Sequence, residues 1–568
     1  MIALFAGDNV DANIMTLDGK GTFHGMGLIR AVTPRNQSSR SQTMPRKPVG
    51  LLDITEDTKI PVHQYHAANR LRSSLQFEKV CLDEIPIIDR KIDILWEMSF
   101  RYKSVSPNWS GMMHMIHANM QHPGKFSVYL LPMIDLQSSD KTCIYSTLRY
   151  ICGIAHTNKI PAIVTFDQPL YWKSREIVAE ASDDDSVKDV IVRMGTFHML
   201  MNLLGAIGDL MDGTGIRKLF ETLYGDNAVL HIMSGKAIQR SFRAHLLLDK
   251  CIAHETISEI ITENLDFEEQ LNSLDAKYDS VISGKLQISD LKNDETLVEI
   301  EKTVEDKKCA KSIVSRTANI WYLYQKLIQT ARNLVKSDRS SSWNSHLRVI
   351  YDCLPIFAAA GHFNYLKSTY LYLMDMLALK HTCPGVNKMF ENGLFVIRRT
   401  DKFWAGLSLD LVIEQVLMRA LKTRGGLTRG SGMTERQRAI WTMSAPACAE
   451  YNLAMQDFTD TKYFTSDQHR EGTKARVERD LGDFQKLLDV FHSCEPLSAE
   501  PGLRNIATGM EASDMINVDH WEEVGRGIVE KMIGQPIFTY SFTRKDKVKN
   551  MASSCAVRIA DDRTIDPA

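Results

Sequence analysis

Two acidic residues stand where apolar, β-prone runs stop. Asp8 follows the run IALFAG and Asp167 follows IPAIVTF. If those strands lie side by side in one sheet, both carboxylates come to the same place. Hard divalent cations such as Mg²⁺ or Mn²⁺ take oxygen ligands at about 2.1 Å and keep water positions for a substrate phosphate. A third acid from a helix completes a set for two ions about 3.5–4 Å apart, one activating water or a 3′-hydroxyl and the other stabilising the leaving oxygen. Glu414, in LSLDLVIEQVLMRALK, is the third candidate, within a run carrying Leu411, Val412, Leu417 and Met418 at helical spacing. The chemistry expected of Asp8, Asp167 and Glu414, as metal ligands and catalytic residues together, is cleavage or transfer of a phosphodiester.

Other residues compete for or support that role. Asp11 and Asp135 (in LLPMID) are alternatives to Asp8, which is preferred because it follows the apolar run immediately. Glu414 precedes KTRGGLTRGSG, where Lys422, Arg424 and Arg429 lie among glycines that permit close approach to a nucleic-acid backbone. A second basic segment, TPRNQSSRSQTMPRKP, holds Arg35, Arg40, Arg46 and Lys47 without any acid. Lys173 follows Asp167 closely enough to reach a phosphate; Trp172 beside it could stack on a base, but packing is the plainer role. His198, in GTFHMLMN, reads as a core histidine bonded to backbone, and His24 and His362 likewise as structural. The pairs His63/His66 and His114/His117 have no partner at metal-ligand spacing.

The elements that must position these acids can be read around them. Residues 2–7 and 22–32 form β-prone runs flanking Asp18-Gly19, a hairpin signal. Residues 125–134 make another run, with Pro132 favouring a sheet edge. A helix over 140–156, capped by Ser138 or Ser139, then leads to the buried run 160–166, which together predict an α/β layer. From about residue 187 the pattern turns helical, and the acid-rich stretch 255–308 reads as a solvated helical face. The last hundred residues mix an acidic helix, RVERDLGDFQKLLDVFHS, with a strand candidate, PIFTYSFTRK. The expected division is 1–186 for the first part of an α/β core, with an inserted segment at about 67–124. A helical insertion follows at 187–395, a helix and basic loop completing the core at 396–445, and a mixed helical region at 446–568.

Composition narrows the classes further. With 568 residues, 44% hydrophobic and 24% charged, the chain has the make-up of a folded protein. Its 68 Lys and Arg against 70 Asp and Glu leave a net charge of −2, so any nucleic-acid site must be local. Ten cysteines without a C-x-x-C pair suit reduced thiols in an intracellular protein. The N-terminus has no basic region of a secretory signal, and the longest uncharged run, 194–208, is too short to span a bilayer. A soluble nuclear or cytoplasmic protein with no membrane partner is the expectation. Glycines near 25–27 and 235 lack the spacing of phosphate-binding loops, and no G-x-S-x-G is present. Both termini read as cuts through a larger protein.

Several long segments, among them GDNVDANIMTLDGKGTFHGMGLIRAVTP, IPAIVTFDQPLYWKSREI, YGDNAVLHIMSGKAIQRSFRAHLLLDKC and DKFWAGLSLDLVIEQVLMRALKTRGGLTRGSGMT, resemble a widespread set of uncharacterised animal proteins derived from transposable elements. The chain also resembles RNase H-like transposases. In those a hairpin strand carries the first Asp, a strand after the first helix the second, and a later helix the Glu. Asp8, Asp167 and Glu414 take these places, and the gap between the last two would hold an all-helical insertion. The resemblance implies an RNase H-like mixed sheet, Mg²⁺ or Mn²⁺, DNA as partner and a homo-oligomeric assembly. It departs from the pattern in having no recognisable DNA-binding zinc finger or helix-turn-helix, which implies a recognition domain outside this chain. The alternative is a catalytically inactive remnant that binds DNA or protein.

Overall fold

The longest apolar run of the N-terminus becomes the centre of a sheet because it is buried on both faces. In the computed structural model, β1 (Ile2–Asn13) and β2 (Thr22–Thr33) pair antiparallel from Ile2↔Thr33 to Asn13↔Thr22. Ile2 to Ala6 are all buried, a continuous pattern expected of an interior strand and not of one with a wet face. β2 also pairs antiparallel with β3 (Ser127–Leu130), which ends just before Pro132 and forms the sheet edge. On the other side β1 runs parallel to β4 (Ile163–Phe166), and β4 parallel to β5 (Ile191–Met194). The order is β3-β2-β1-β4-β5. The structure describes residues 2–13, 22–33, 60–67, 75–103, 106–122, 124–134, 136–400, 402–422, 444, 451, 455, 458–459, 473–543 and 546–553.

Local chemistry sets the helices between these strands. Helix α1 (Lys141–Asn158) starts where the Asp140 carboxylate accepts from the Thr142 amide at 2.7 Å, so Asp140, and not Ser138 or Ser139, is the cap. It ends at Lys159 in the left-handed conformation. Helix α2 (Gln168–Glu180) carries Pro169 in its first turn, where no amide is needed, and crosses over to β5. The fifth strand corrects the sequence reading, which gave residues 187–395 to a helical insertion. VIVRM is β-branched and joins the apolar start of α3 (Thr196–Leu210) without a polar break, so the change of period is hidden. The core therefore continues beyond residue 186.

The remainder is a helical body. It includes α4 (Asp226–Met233), α5 (Ile238–Glu263), α6 (Arg316–Ser340) and α7 (Trp343–Ala360). Helix α8 (Leu409–Ile413) then returns to the sheet, continuing as a π-helical turn over Glu414–Met418 and a last turn over Arg419–Lys422. Helices α9 (Lys474–Ser493) and α10 (Trp521–Met532) complete it, α9 packing on α5 and α10 across α7. Over the described residues 536–543, the strand expected in PIFTYSFTRK does not form. Its rings are used individually: Phe538 meets Trp172 at 5.3 Å and Phe542 stacks on Phe363 at 4.4 Å. Among the described residues, no helix is long and apolar enough to cross a membrane.

Small residues let α3 dock closely on the end of α4. A methyl group at Gly208 would lie 2.0 Å from the Met233 carbonyl oxygen. Gly208→Ala is therefore expected to cost about 1–3 kcal/mol by overpacking. Gly153, exposed in α1 with nothing within 4 Å of an added methyl, is the contrast. Gly153→Ala should gain about 0.8–1 kcal/mol from helix propensity. Thermal and urea denaturation of the two variants beside the parent chain checks both signs.

Candidate functional site

Parallel pairing brings the first two acids together. Phe5 is level with Val164 and Ala6 with Thr165. A methyl group at Gly7 would collide with the Phe166 ring at 2.5 Å, so the strands remain close one step further on, and the next positions are Asp8 and Asp167. Asp8 does not sit at a strand end as the sequence suggested. β1 continues past it to pair with β2, placing Asp8 opposite Gly27. Asp167 closes β4 and caps α2, its Oδ1 accepting from the Leu170 amide at 3.1 Å.

The third acid arrives on α8, which packs against β1, β4 and α3. Gly27 makes room for it, since a methyl there would lie 2.7 Å from Leu417 and 2.9 Å from Val10. Glu414 opens the π-helical turn and is close enough to raise the proton affinity of Asp8. π-turns inside helices are frequent at functional sites.

Asp410, one turn before Glu414, was not singled out from the sequence. It is buried, and it caps α3 from outside. Its carboxylate accepts from the Phe197 amide at 3.3 Å and the His198 amide at 3.0 Å, and pairs with His198 Nδ1 at 3.1 Å. A methyl at Gly195 would come within 2.2 Å of Asp410 Oδ2, so only glycine admits this approach. The signal that could have found Asp410 is its i−4 spacing from Glu414, which puts both acids on one helix face.

The electrostatics set the protonation states. Burial, with the charges of Asp167 and Glu414, raises Asp8 to about 7 against the opposing pull of His198 and of the Asn9 amide, which donates to Oδ1 at 2.7 Å. Asp8 Oδ2 is buried with no hydrogen-bond partner. Burial also raises Asp167, opposed by the Leu170 amide and His198. Burial would lift Asp410 too, but the hydrogen bond and charge of His198 outweigh it and hold the carboxyl below its ordinary value. For His198, burial lowers the pKa, while the Asp410 hydrogen bond and the charges of Asp410, Asp8 and Asp167 win and raise it to about 9. This corrects the core-histidine reading: His198 is an imidazolium at neutral pH among carboxylates. Its pairing contributes stability fully below pH 6.5 and loses it as pH rises through about 9.

The remaining predicted residues lie elsewhere. Lys173 Nζ donates to the Ser139 carbonyl at 2.5 Å, and the Trp172 ring is covered by Phe538 and, at 4.6 Å, by Lys367 Nζ. His362 bridges Asn202 at 2.9 Å and Asp209 at 2.8 Å, tying its loop to α3. His24 pairs in register with Asp11 across the hairpin. His117 is stacked between Phe403 and Trp404, with Nδ1 at 2.6 Å from the Met113 carbonyl. Arg35, Arg40, Arg46, Lys47, Asp135, Arg424 and Arg429 lie outside the described residues, as do the side chains of Asp11 and Lys422.

One comparison bears on the chain as a whole: a domain of unknown function, DUF8702, matches residues 108–568. The chain belongs to that family. The DUF8702 match takes in Asp167, His198, Asp410 and Glu414 and begins after the hairpin that carries Asp8. No curated protein and no solved structure matches the chain.

The donor types suit a hard divalent cation: carboxylate oxygens, one of them buried and unpartnered, whose mutual repulsion a cation relieves. Among the described residues, no group of three or more such side chains is already gathered as a ligand cluster. Asp8 is the sensitive probe of this site. It titrates near 3.8 unfolded and near 7 folded, so the folded chain holds the extra proton between those values. Stability falls as pH rises through that window, and above it the buried anion costs at most about 4 kcal/mol. In the presence of EDTA, Asp8→Asn should raise the melting temperature at pH 8 and leave it nearly unchanged at pH 4.

Proposed function

We propose that this chain is a transposon-derived, RNase H-like enzyme that cleaves or transfers DNA strands, with Asp8, Asp167 and Glu414 as its acidic triad. The observation that carries the reading is the parallel register of β1 and β4, with α8 laid against both. It brings together acids 159 and 247 residues apart in the chain. The reading draws support from the order of the elements that carry the acids: Asp8 on the hairpin strand β1, Asp167 at the end of β4 after α1, and Glu414 after α8, beyond β5 and a long helical stretch.

Asp8, Asp167 and Glu414 would hold Mg²⁺ or Mn²⁺, which when bound supplies a nucleophile at neutral pH and stabilises the leaving oxygen. The protein's own part is positional and electrostatic. Asp167 is fixed by its capping bond, and Asp8 by the central strand. Asp410 holds His198 through Nδ1 and, with the charges of Asp8 and Asp167, keeps it an imidazolium, so that Nε2 also carries a proton. That proton is available to an oxygen that gains charge as a phosphodiester opens. DNA as partner and a dimeric or larger assembly belong to the same proposal. The second reading, a remnant that binds without cutting, draws support from the absence of a gathered ligand cluster among the described residues.

Nicking of supercoiled DNA by the purified chain, with Mg²⁺ and then Mn²⁺, separates the two. Asp167→Ala should lower the rate about 100-fold or more, the scale set by loss of a metal-supporting group. Identical traces from parent and variant, both folded, overturn the enzyme. Mn²⁺ titration followed by melting temperature gives an independent readout. The parent chain should be stabilised, and Asp8→Asn should lose most of that shift.

A further inference from the structure

A cleft of about 1360 Å³ opens beside the acids, between residues 96–114, α5, α9 and the far side of α8. Phe197, next to His198, and Leu411 and Gln415, next to Asp410 and Glu414, are among its lining residues, so it shares the walls formed by α3 and the α8 segment with the site described above, although none of the acids lines it. Its charge is unlike that of the whole chain. Nine of the described lining residues are Lys or Arg, and the single acid is Asp480. Asp480 is already committed to Arg243 at 2.6 Å, Arg476 at 3.4 Å and Asn108 at 3.2 Å.

Three of the cations are left over. Arg240 and Arg419 are exposed and make no hydrogen bond or ion pair among the described residues, and neither does Lys250. Lys250 Nζ stands instead over the rings of Trp96 at 5.4 Å and Phe484 at 5.6 Å. Burial lowers its pKa to about 8, so an incoming anion would strengthen its charge. Phe100 and Phe242, both half-buried, add rings to the same wall.

Unpaired cations interleaved with aromatic rings in one cleft are the combination that holds single-stranded nucleic acid, phosphates on the charges and bases on the rings. The volume exceeds the roughly 300–1000 Å³ of a small-molecule pocket, which favours a strand over one nucleotide. Rings set into a concave wall cannot reach bases that are stacked inside a duplex. We propose that this cleft binds an unpaired DNA strand, with Arg240, Arg419 and Lys250 on its phosphates and Phe242 and Phe100 against its bases, and leads it toward the acids. The delivery role rests on the function proposed above; the binding does not.

The test is fluorescence anisotropy of a short labelled oligothymidylate in EDTA, where no cleavage occurs, across a salt series. The parent chain should bind it more tightly than a blunt duplex of equal length. Reversing two exposed charges, Arg240→Glu with Arg419→Glu, should weaken binding at least about 10-fold and flatten the salt dependence. Phe242→Leu keeps the bulk and removes the ring, and should cost roughly 5- to 100-fold if a base stacks there. Melting curves establish that each variant is folded. Equal affinity for duplex, unchanged affinity in both variants, or displacement by thymidine monophosphate as effective as by the oligomer overturns the proposal. Strand binding without any nicking activity leaves the cleft standing and removes the enzyme, whereas nicking that is indifferent to the cleft variants does the reverse.

Discussion

A buried carboxylate has to be satisfied, and in this chain the need falls on Asp410. Its oxygens take two backbone amides at the start of α3 and the Nδ1 of His198, and they lie against the positive end of that helix. That single group joins α8 to the end of the sheet after about two hundred residues of intervening helix. An anion buried without those donors would cost several kcal/mol. The docking position of α8 is thereby set, and Glu414 follows one turn later, beside Asp8. Gly195 is the steric counterpart, the missing side chain that lets the carboxylate come close.

Around this anchor the protein gathers like charges it would otherwise keep apart. Asp8, Asp167 and Glu414 share a poorly solvated place, and burial first, then the charges of the other two, raises Asp8. His198 offsets part of it, held charged by the same Asp410 that positions it. Such an arrangement is a poor way to stabilise a sheet. Hydrophobic residues at these positions would serve folding better, as local rules are broken where a site has other demands. The cleft shows the complementary imbalance: cations in excess, placed next to acids in excess, with aromatic rings between.

Much of the sheet was legible. The hairpin announced itself through Asp18-Gly19 and its flanking apolar runs, and Pro132 marked an edge because it offers no amide to a further strand. The strand that ends at Asp167 was visible because Gln168-Pro169 stops it abruptly. What stayed hidden shares one cause, that tertiary neighbours are absent from a linear pattern. VIVRM merges into the helix that follows it. PIFTYSF has the composition of a strand, but its rings are drawn singly into separate partners, Trp172 and Phe363 among them. His198 sits among apolar neighbours in sequence, yet in space it faces three acids, Asp410, Asp8 and Asp167. Asp410 drew no notice in the sequence, and its role exists only because α3 is brought under it. Trp172, in contrast, does what a tryptophan in a packed layer usually does.

The chain distance between Asp167 and Glu414 has a consequence for synthesis. The hairpin, β4 and β5 leave the ribosome long before α8, and at roughly 5–20 residues per second the 247 residues between the two acids take about 12–50 s to make. Throughout that interval the interior strands β1 and β4 lack the helix that packs on them, and the amides at the start of α3 lack their acceptor. The nascent chain is thus held without a complete acidic centre until the helical body has been made and folded back. The acids meet only once everything between them in the chain has been made.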